Sequence, residues 1–192
     1  MTKINDYIIK EVENREELLN VIELVKQHYE QNGYLEDDLK IKDFYYLFSP
    51  TTKIYINMNK NKLISTVSMF IDSKEYGLPS DQLYEKEFEE LRQQRRKLIE
   101  GGMLAGEQGR PLLYLMSVFF KESKNQKADD ILLIINPKHK KFYEKMLLFK
   151  QIGEEKQCPK VNNAPAILMK FDIKGFNSSV VKNNTIQRIF LQ

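Results

Sequence analysis

The amino-acid sequence predicts an α/β (α+β) fold: a mixed, mostly antiparallel sheet with helices on both faces and a splayed central strand pair. Three observations carry this. Segments of period two alternate with segments of helical period, in the order β-α-(α)-β-β-α-β-α-β-α-β-β. The run Ile131-Leu-Leu-Ile-Ile135 is apolar on both faces, as a strand covered by helices on each side must be. Gly101-Gly102 interrupts the strand expected over Lys97–Ala105, and adjacent glycines inside a strand mark a bulge or a close approach by another group. The strand at 99–106 is therefore expected to part from the strand at 130–136 and leave a cleft.

The elements follow in order. Asp6–Glu13 alternates as an opening strand. Asn14 is a helix N-cap, Glu16 and Glu17 suit the positive end of the dipole, and Leu18, Leu19, Ile22, Val25 and Tyr29 keep helical spacing until Gly33. A second short helix or turn is expected within 34–48, with Phe44, Tyr45, Leu47 and Phe48 as its apolar side. Lys53–Asn59 and Lys62–Ile71 read as a hairpin around Asn59-Lys60-Asn61. The loop Asp72–Ser80 resembles an insertion, and a polar helix is expected from about Asp81. Arg110 and Pro111 open a helix that is apolar nearly all round, because Pro at an early position loses an N–H that has no partner anyway. The strand ending at Asn136-Pro137 leads into a short helix carrying Phe142 and Tyr143. A strand marked by Gly153 and an apolar strand over Ala164–Asp172 close the fold. Residues 1–175 read as one domain and 176–192 as a C-terminal appendage.

Composition excludes several classes of function. With 42% hydrophobic and 30% charged residues, the 192-residue chain is of ordinary globular make-up. A net charge of +3 does not argue for nucleic acid. A single cysteine cannot form an internal disulfide, so a cytoplasmic setting is expected. No apolar run is long enough for a membrane span, and no His, Cys or Asp cluster has metal-ligand spacing.

Some residues carry chemistry of their own. Glu100 at the start of the glycine-interrupted strand suits a general base or an ammonium binder; the plain alternative is a strand-end salt bridge. Tyr143 on the last helix suits a hydrogen-bond donor, or simple packing beside Phe142. Asp72 and Ser73 read as a turn. Cys158 precedes Pro159, has no histidine near it in sequence, and reads as an inert thiol; His28 and His139 read as structural or solvent-facing. Arg92, Arg95, Arg96 and Lys97 form a basic group that is either a solvated helix face or a docking patch.

The wording of residues 53–173 resembles the N-acyl amino acid synthases, GNAT-fold relatives of the acyl-homoserine-lactone synthases. The resemblance rests on Asp72-Ser73, Gly77-Leu-Pro79, Glu87, Leu91-Arg92, Arg95-Arg96, Leu98-Ile-Glu100, Asn136-Pro137, Phe142-Tyr143, Gly153 and Ala164-Pro165, in shared order and spacing. It departs from that family at Gly101-Gly-Met-Leu104, where a more regular strand is usual. The resemblance implies a GNAT-like fold and transfer of a fatty acyl group from an acyl-carrier-protein thioester to the amine of an amino acid or similar molecule. It implies catalytic roles for Glu100 and Tyr143, with Tyr143 beside the thioester sulfur, and an acceptor pocket near Asp72, Ser73, Met103 and Leu104. Carrier-protein binding falls to Arg92, Arg95, Arg96 and Lys97.

No cofactor is expected to be bound permanently. The donor is an acyl-phosphopantetheine on acyl carrier protein in preference to coenzyme A. The Gln/Arg-x-x-Gly-x-Gly/Ala loop that presents backbone N–H groups to the pyrophosphate of coenzyme A is missing from Glu107–Leu113, and Pro111 removes a further donor. The alternatives are a coenzyme A-dependent N-acetyltransferase and a degenerate GNAT fold that only binds a ligand.

Overall fold

The computed structural model describes residues 1–4, 6–35, 41–107 and 109–176. Two short strands, β1 (Thr2–Ile4) and β2 (Tyr7–Glu11), precede helix α1 (Arg15–Gln31). Asn14 caps α1 by accepting from the Glu17 N–H at 2.9 Å, and Gly33 leaves it at φ +69°. A 3-10 segment, Ile41–Phe48, stands where a second short helix was expected. Strands β3 (Thr52–Asn59) and β4 (Lys62–Ile71) join through Lys60 and Asn61, both at positive φ, as the twist of a two-residue hairpin requires. Helix α2 (Glu85–Gln93) begins four residues later than expected, because 78–84 turn back on themselves through Asp81 N–H to Leu78 and Tyr84 N–H to Ser80. Then come β5 (Leu98–Gly106), α3 (Arg110–Asn125), β6 (Asp130–Ile135) and α4 (Lys140–Leu147). The chain ends its described part with β7 (Lys150–Gln151), β8 (Lys156–Cys158) and β9 (Ala164–Asp172). The appendage expected from 176 onward lies outside the described residues except for Phe176, whose ring packs on Phe171.

The sheet runs β1-β2-β3-β4-β5-β6-β9-β7, and β8 pairs with the start of β9. Every pairing is antiparallel except β5 with β6. Side chains alternate along β6 as a doubly covered strand demands. Ile131, Leu133 and Ile135 join Leu115, Phe119 and Phe120 of α3 and Leu147 of α4. Leu132 faces the other core, with Val21, Ile22 and Val25 of α1, Phe88 and Leu91 of α2, and Tyr84.

The central strands part as expected, and the register shows how. Parallel pairing of β5 with β6 covers only Leu98–Gly101 against Asp130–Leu133. On the other side of β5, Ser68 opposes Gly102 and Thr66 opposes Ala105, so Met103 and Leu104 together face Val67. This is a β-bulge, with one extra residue that bends β5 away from β6. Met103 takes it up at φ +49°. Gly101 is the last rung before the gap. A Cβ there would lie 2.7 Å from the Leu133 side chain and 2.9 Å from the Phe119 ring, so glycine is required for α3 to pack closely against the sheet.

A buried ion pair locks the closed end of these strands. Asp130, fully buried, accepts from Arg96 through both its oxygens; Arg96 also reaches Asp172 at 2.5 Å, and Lys170 stands 3.8 Å from Asp130. Replacing Arg96 by Met would leave Asp130 buried with only the distant Lys170. Urea unfolding of Arg96→Met is expected to show a loss of about 3 kcal/mol. The same change at exposed Arg95 is expected to stay within about 0.5 kcal/mol. Equal effects at the two positions would contradict this role.

A buried carboxylate and the gap beside it

Glu100 is 3% exposed on β5 and sits opposite Phe70 and Leu132, so it points to the α1 and α2 side of the sheet. Ser80 supplies both its hydrogen bonds: the Ser80 hydroxyl donates to Oε1 at 2.7 Å and the Ser80 N–H to Oε2 at 3.1 Å. Burial raises the Glu100 pKa to about 7; the two Ser80 donors and the charge of Lys160 lower it, and Asp81 adds a smaller upward push. A carboxyl that changes protonation near neutrality is suited to taking and giving protons.

Ser80 owes its place to the loop between β4 and α2. The Arg92 guanidinium holds Asp72 at the start of this loop, at 2.9 and 2.7 Å, and Asp81 near its end, at 2.8 and 3.0 Å. Ser73 shapes the intervening turn by accepting from the Tyr76 N–H and, through its carbonyl, from the Gly77 N–H. Asp72 and Ser73, expected beside the acceptor, thus bond within the loop that delivers Ser80.

The four basic residues proposed as a docking patch divide. Arg92 and Arg96 are held by internal carboxylates, whereas Arg95 and Lys97 are exposed. All four precede Leu98 and so lie at the paired end of β5 and β6, away from the gap. The bulge sends Met103 toward the α1 core and Leu104 toward the α3 core, on the two sides of the sheet.

Tyr143 is half-buried on α4, its ring edge-on to Phe142 and Phe149 at centroid separations of 5.5 and 5.8 Å. Burial raises its pKa to about 12. It packs against the α3 core, on the face opposite Glu100. No hydrogen bond joins Glu100 and Tyr143 among the described residues.

A chain of electrostatic influence nevertheless runs between the two faces. Tyr29 of α1 has its pKa raised by burial first, then by Cys158, Tyr34 and Tyr143. Cys158 has its own raised by burial first, with backbone N–H groups and Lys160 opposing and Glu100 adding to the rise. Charges act on each other over such distances when little water lies between them. Tyr143 is therefore sensed from the α1 side of the sheet. One rung beyond Glu100 on that same side, the buried hydroxyl of Ser68 faces Gly102 and has no protein partner.

Sequence reasoning missed Ser80 and Lys160. The Lys160 ammonium donates to the Pro79 carbonyl at 2.5 Å and lies 4.5 Å from the centre of the Tyr46 ring. His139 is exposed at the start of α4 and makes no side-chain capping bond. The described residues contain no cluster of His, Cys, Asp and Glu able to hold a metal. None of their helices is long and apolar enough to cross a membrane. Two open grooves mark the surface. One of about 620 Å³ runs between α1 and the β3–β4 hairpin; the other, of about 460 Å³, lies between α4 and β7. Neither is lined by Glu100 or Tyr143, so the buried carboxylate, and not groove size, locates the chemistry.

A family model described as N-acyl amino acid synthase FeeM matches residues 20–172. The structure is similar to that of FeeM, an N-acyl amino acid synthase from uncultured soil microbes, with a TM-score of 0.80 and 26% identity over 88% of this chain and 92% of that one. It is also similar to an acyl-CoA N-acyltransferase from Pseudomonas aeruginosa, at a TM-score of 0.59 and 13% identity over 86% and 97% of the two chains. Escherichia coli ElaA matches at a TM-score of 0.61 and 12% identity over 86% and 99%. These last two show the fold alone, which is the GNAT fold. No curated protein matches the chain.

The position of Glu100 has a measurable consequence for stability. Its folded-state pKa of about 7 lies above the ordinary value of 4.5, so the native protein binds the extra proton between those limits. The stability this group contributes is full below pH 4.5 and is lost as pH rises through 7. Glu100→Gln carries no such loss. Its melting temperature relative to the unaltered protein is therefore expected to rise between pH 5 and pH 8. A difference that does not vary with pH would mean that Glu100 titrates as an ordinary carboxylate.

Proposed function

The chain belongs to the FeeM family of N-acyl amino acid synthases and is an N-acyltransferase of GNAT fold; from that premise we propose that it moves a fatty acyl group from an acyl-carrier-protein thioester to the amine of an amino acid. The observation that carries the reading is the buried Glu100 carboxyl, with a pKa near neutrality, on the strand that leaves β6 at the bulge.

In this reading the acceptor arrives as an ammonium ion and loses a proton to become nucleophilic. Its nitrogen attacks the thioester carbonyl, the C–N bond forms, and the C–S bond breaks. Glu100 takes the proton that the nitrogen sheds, directly or through water, and passes it to solvent. Tyr143 donates a hydrogen bond to the departing sulfur. With a pKa of about 12 it keeps its proton against a thiolate, whose conjugate acid lies near ~8.5, so it stabilises the sulfur without protonating it. Transfer is direct, without an acyl-enzyme, since Cys158 is a buried thiol that burial makes harder to ionise.

Carrier protein is favoured as donor by the sequence leading into α3. Its N-cap Gly109 offers no side-chain bond and Pro111 no N–H, leaving few donors for a nucleotide pyrophosphate. The gap opens toward the C-terminal ends of β5 and β6, where exposed Arg110, Lys138 and Lys141 lie. An acidic carrier protein docks there in this reading, and not at Arg92–Lys97.

A side-by-side assay with matched acyl-carrier-protein and acyl-coenzyme A donors tests it. Faster transfer from carrier protein is expected. Reversing Arg110 and Lys141 to Glu should slow it, and reversing Arg95 and Lys97 should not. Glu100→Gln should lower turnover by ~10²-fold or more. Faster transfer from coenzyme A, indifferent to every charge reversal, would replace the carrier-protein reading with a coenzyme A-dependent one.

A further inference from the structure

We propose that Lys160 reads the carboxylate of the acceptor, which makes the site selective for free α-amino acids over amines that lack that group; this rests on the proposed acyl transfer to an amine at Glu100. The argument begins with a single peptide group. Its carbonyl, that of Pro79, accepts from the Lys160 ammonium at 2.5 Å, and its N–H, that of Ser80, donates to Glu100 at 3.1 Å. A positive and a negative charge are thus mounted on opposite edges of one rigid plane.

The spacing suits an α-amino acid. Its ammonium and carboxylate sit on the same carbon, and a hydrogen bond of ~2.8 Å at each end brings its reach to about the width of that peptide with its two bonds. The amine then meets Glu100 and the carboxylate meets Lys160, each pair of opposite sign. A lysine ammonium has three N–H groups, and the bond to Pro79 uses one.

Lys160 is also held in place without an ion pair. It stands over the Tyr46 ring, which itself packs on Tyr45 with ring centres 4.0 Å apart. Tyr46 lies within electrostatic reach of Glu100 and Asp81. The charged groups around the position are therefore Glu100 and Asp81, which favour the acceptor's amine, and Lys160, which alone among them favours its carboxylate. Lys160 occupies the short 3-10 turn Pro159–Val161 between β8 and β9, so its backbone is anchored by the strands on either side.

The test compares each L-amino acid that the enzyme acylates with its own α-amide, by transfer kinetics and by calorimetric binding to the enzyme alone. Lys160→Met is expected to raise KM and weaken binding for the free acid by ~10–100-fold, the scale of a lost charge-assisted hydrogen bond. It should leave the amide within ~2-fold, and Lys160→Arg should restore part of the preference. Equal use of acid and amide by the unaltered enzyme would overturn the proposal. So would an equal loss for both in Lys160→Met. Binding of free amino acids that depends on Lys160, in an enzyme that acylates no amine, would uphold the carboxylate site and remove the transferase reading beneath it.

Discussion

Burial of the Glu100 carboxyl with a single residue to satisfy it is the constraint around which the centre of the structure is arranged. A carboxylate removed from water costs free energy that hydrogen bonds must offset, and Ser80 provides one donor to each oxygen. Those two bonds fall short of restoring an ordinary pKa, so the group is left near neutrality. Ser80 can be so placed only if its loop is fixed, and the loop is fixed because Arg92 holds Asp72 and Asp81 at the same time. A salt bridge between side chains that are only partly exposed thus acts on a proton affinity through the geometry of one serine.

The second constraint is the bulge. An extra residue in β5 turns the strand after Gly101, ends its pairing with β6, and divides Met103 and Leu104 between the two cores. Glu100 lies on the last paired stretch and faces α1, while Tyr143 approaches from α4 on the other face. A base and a hydrogen-bond donor for the leaving group need not touch. They need to reach the two ends of a bond-making and bond-breaking centre, and a gap between the central strands gives access from both sides of the sheet.

Much of the fold was legible because it depends on local pattern. The doubly apolar run Ile131–Ile135, the Asn14 cap, the Lys60-Asn61 hairpin and the glycine pair before the bulge each carry their structure in neighbouring residues. Strands β1 and β8 have three residues each, too few for a periodic signal. The start of α2 was set by a turn around Asp81 that competes with helix formation. At the site, Glu100 and Tyr143 were readable from type, order and resemblance. Ser80 and Lys160 were not, since their partners lie 20 and 81 residues away. The same non-locality concealed the true use of Arg92 and Arg96, whose carboxylate partners come from other elements.

The central claim is that Glu100 changes protonation near neutrality in the resting enzyme. The direct measurement is the side-chain carboxyl 13C shift of Glu100 in protein labelled at glutamate, followed from pH 4 to 9 and assigned by its absence in Glu100→Gln. The account predicts a midpoint near 7, moving upward in Ser80→Ala, where one donor to the charged form is lost. A midpoint near ~4.3, as for a solvated glutamate, would contradict it.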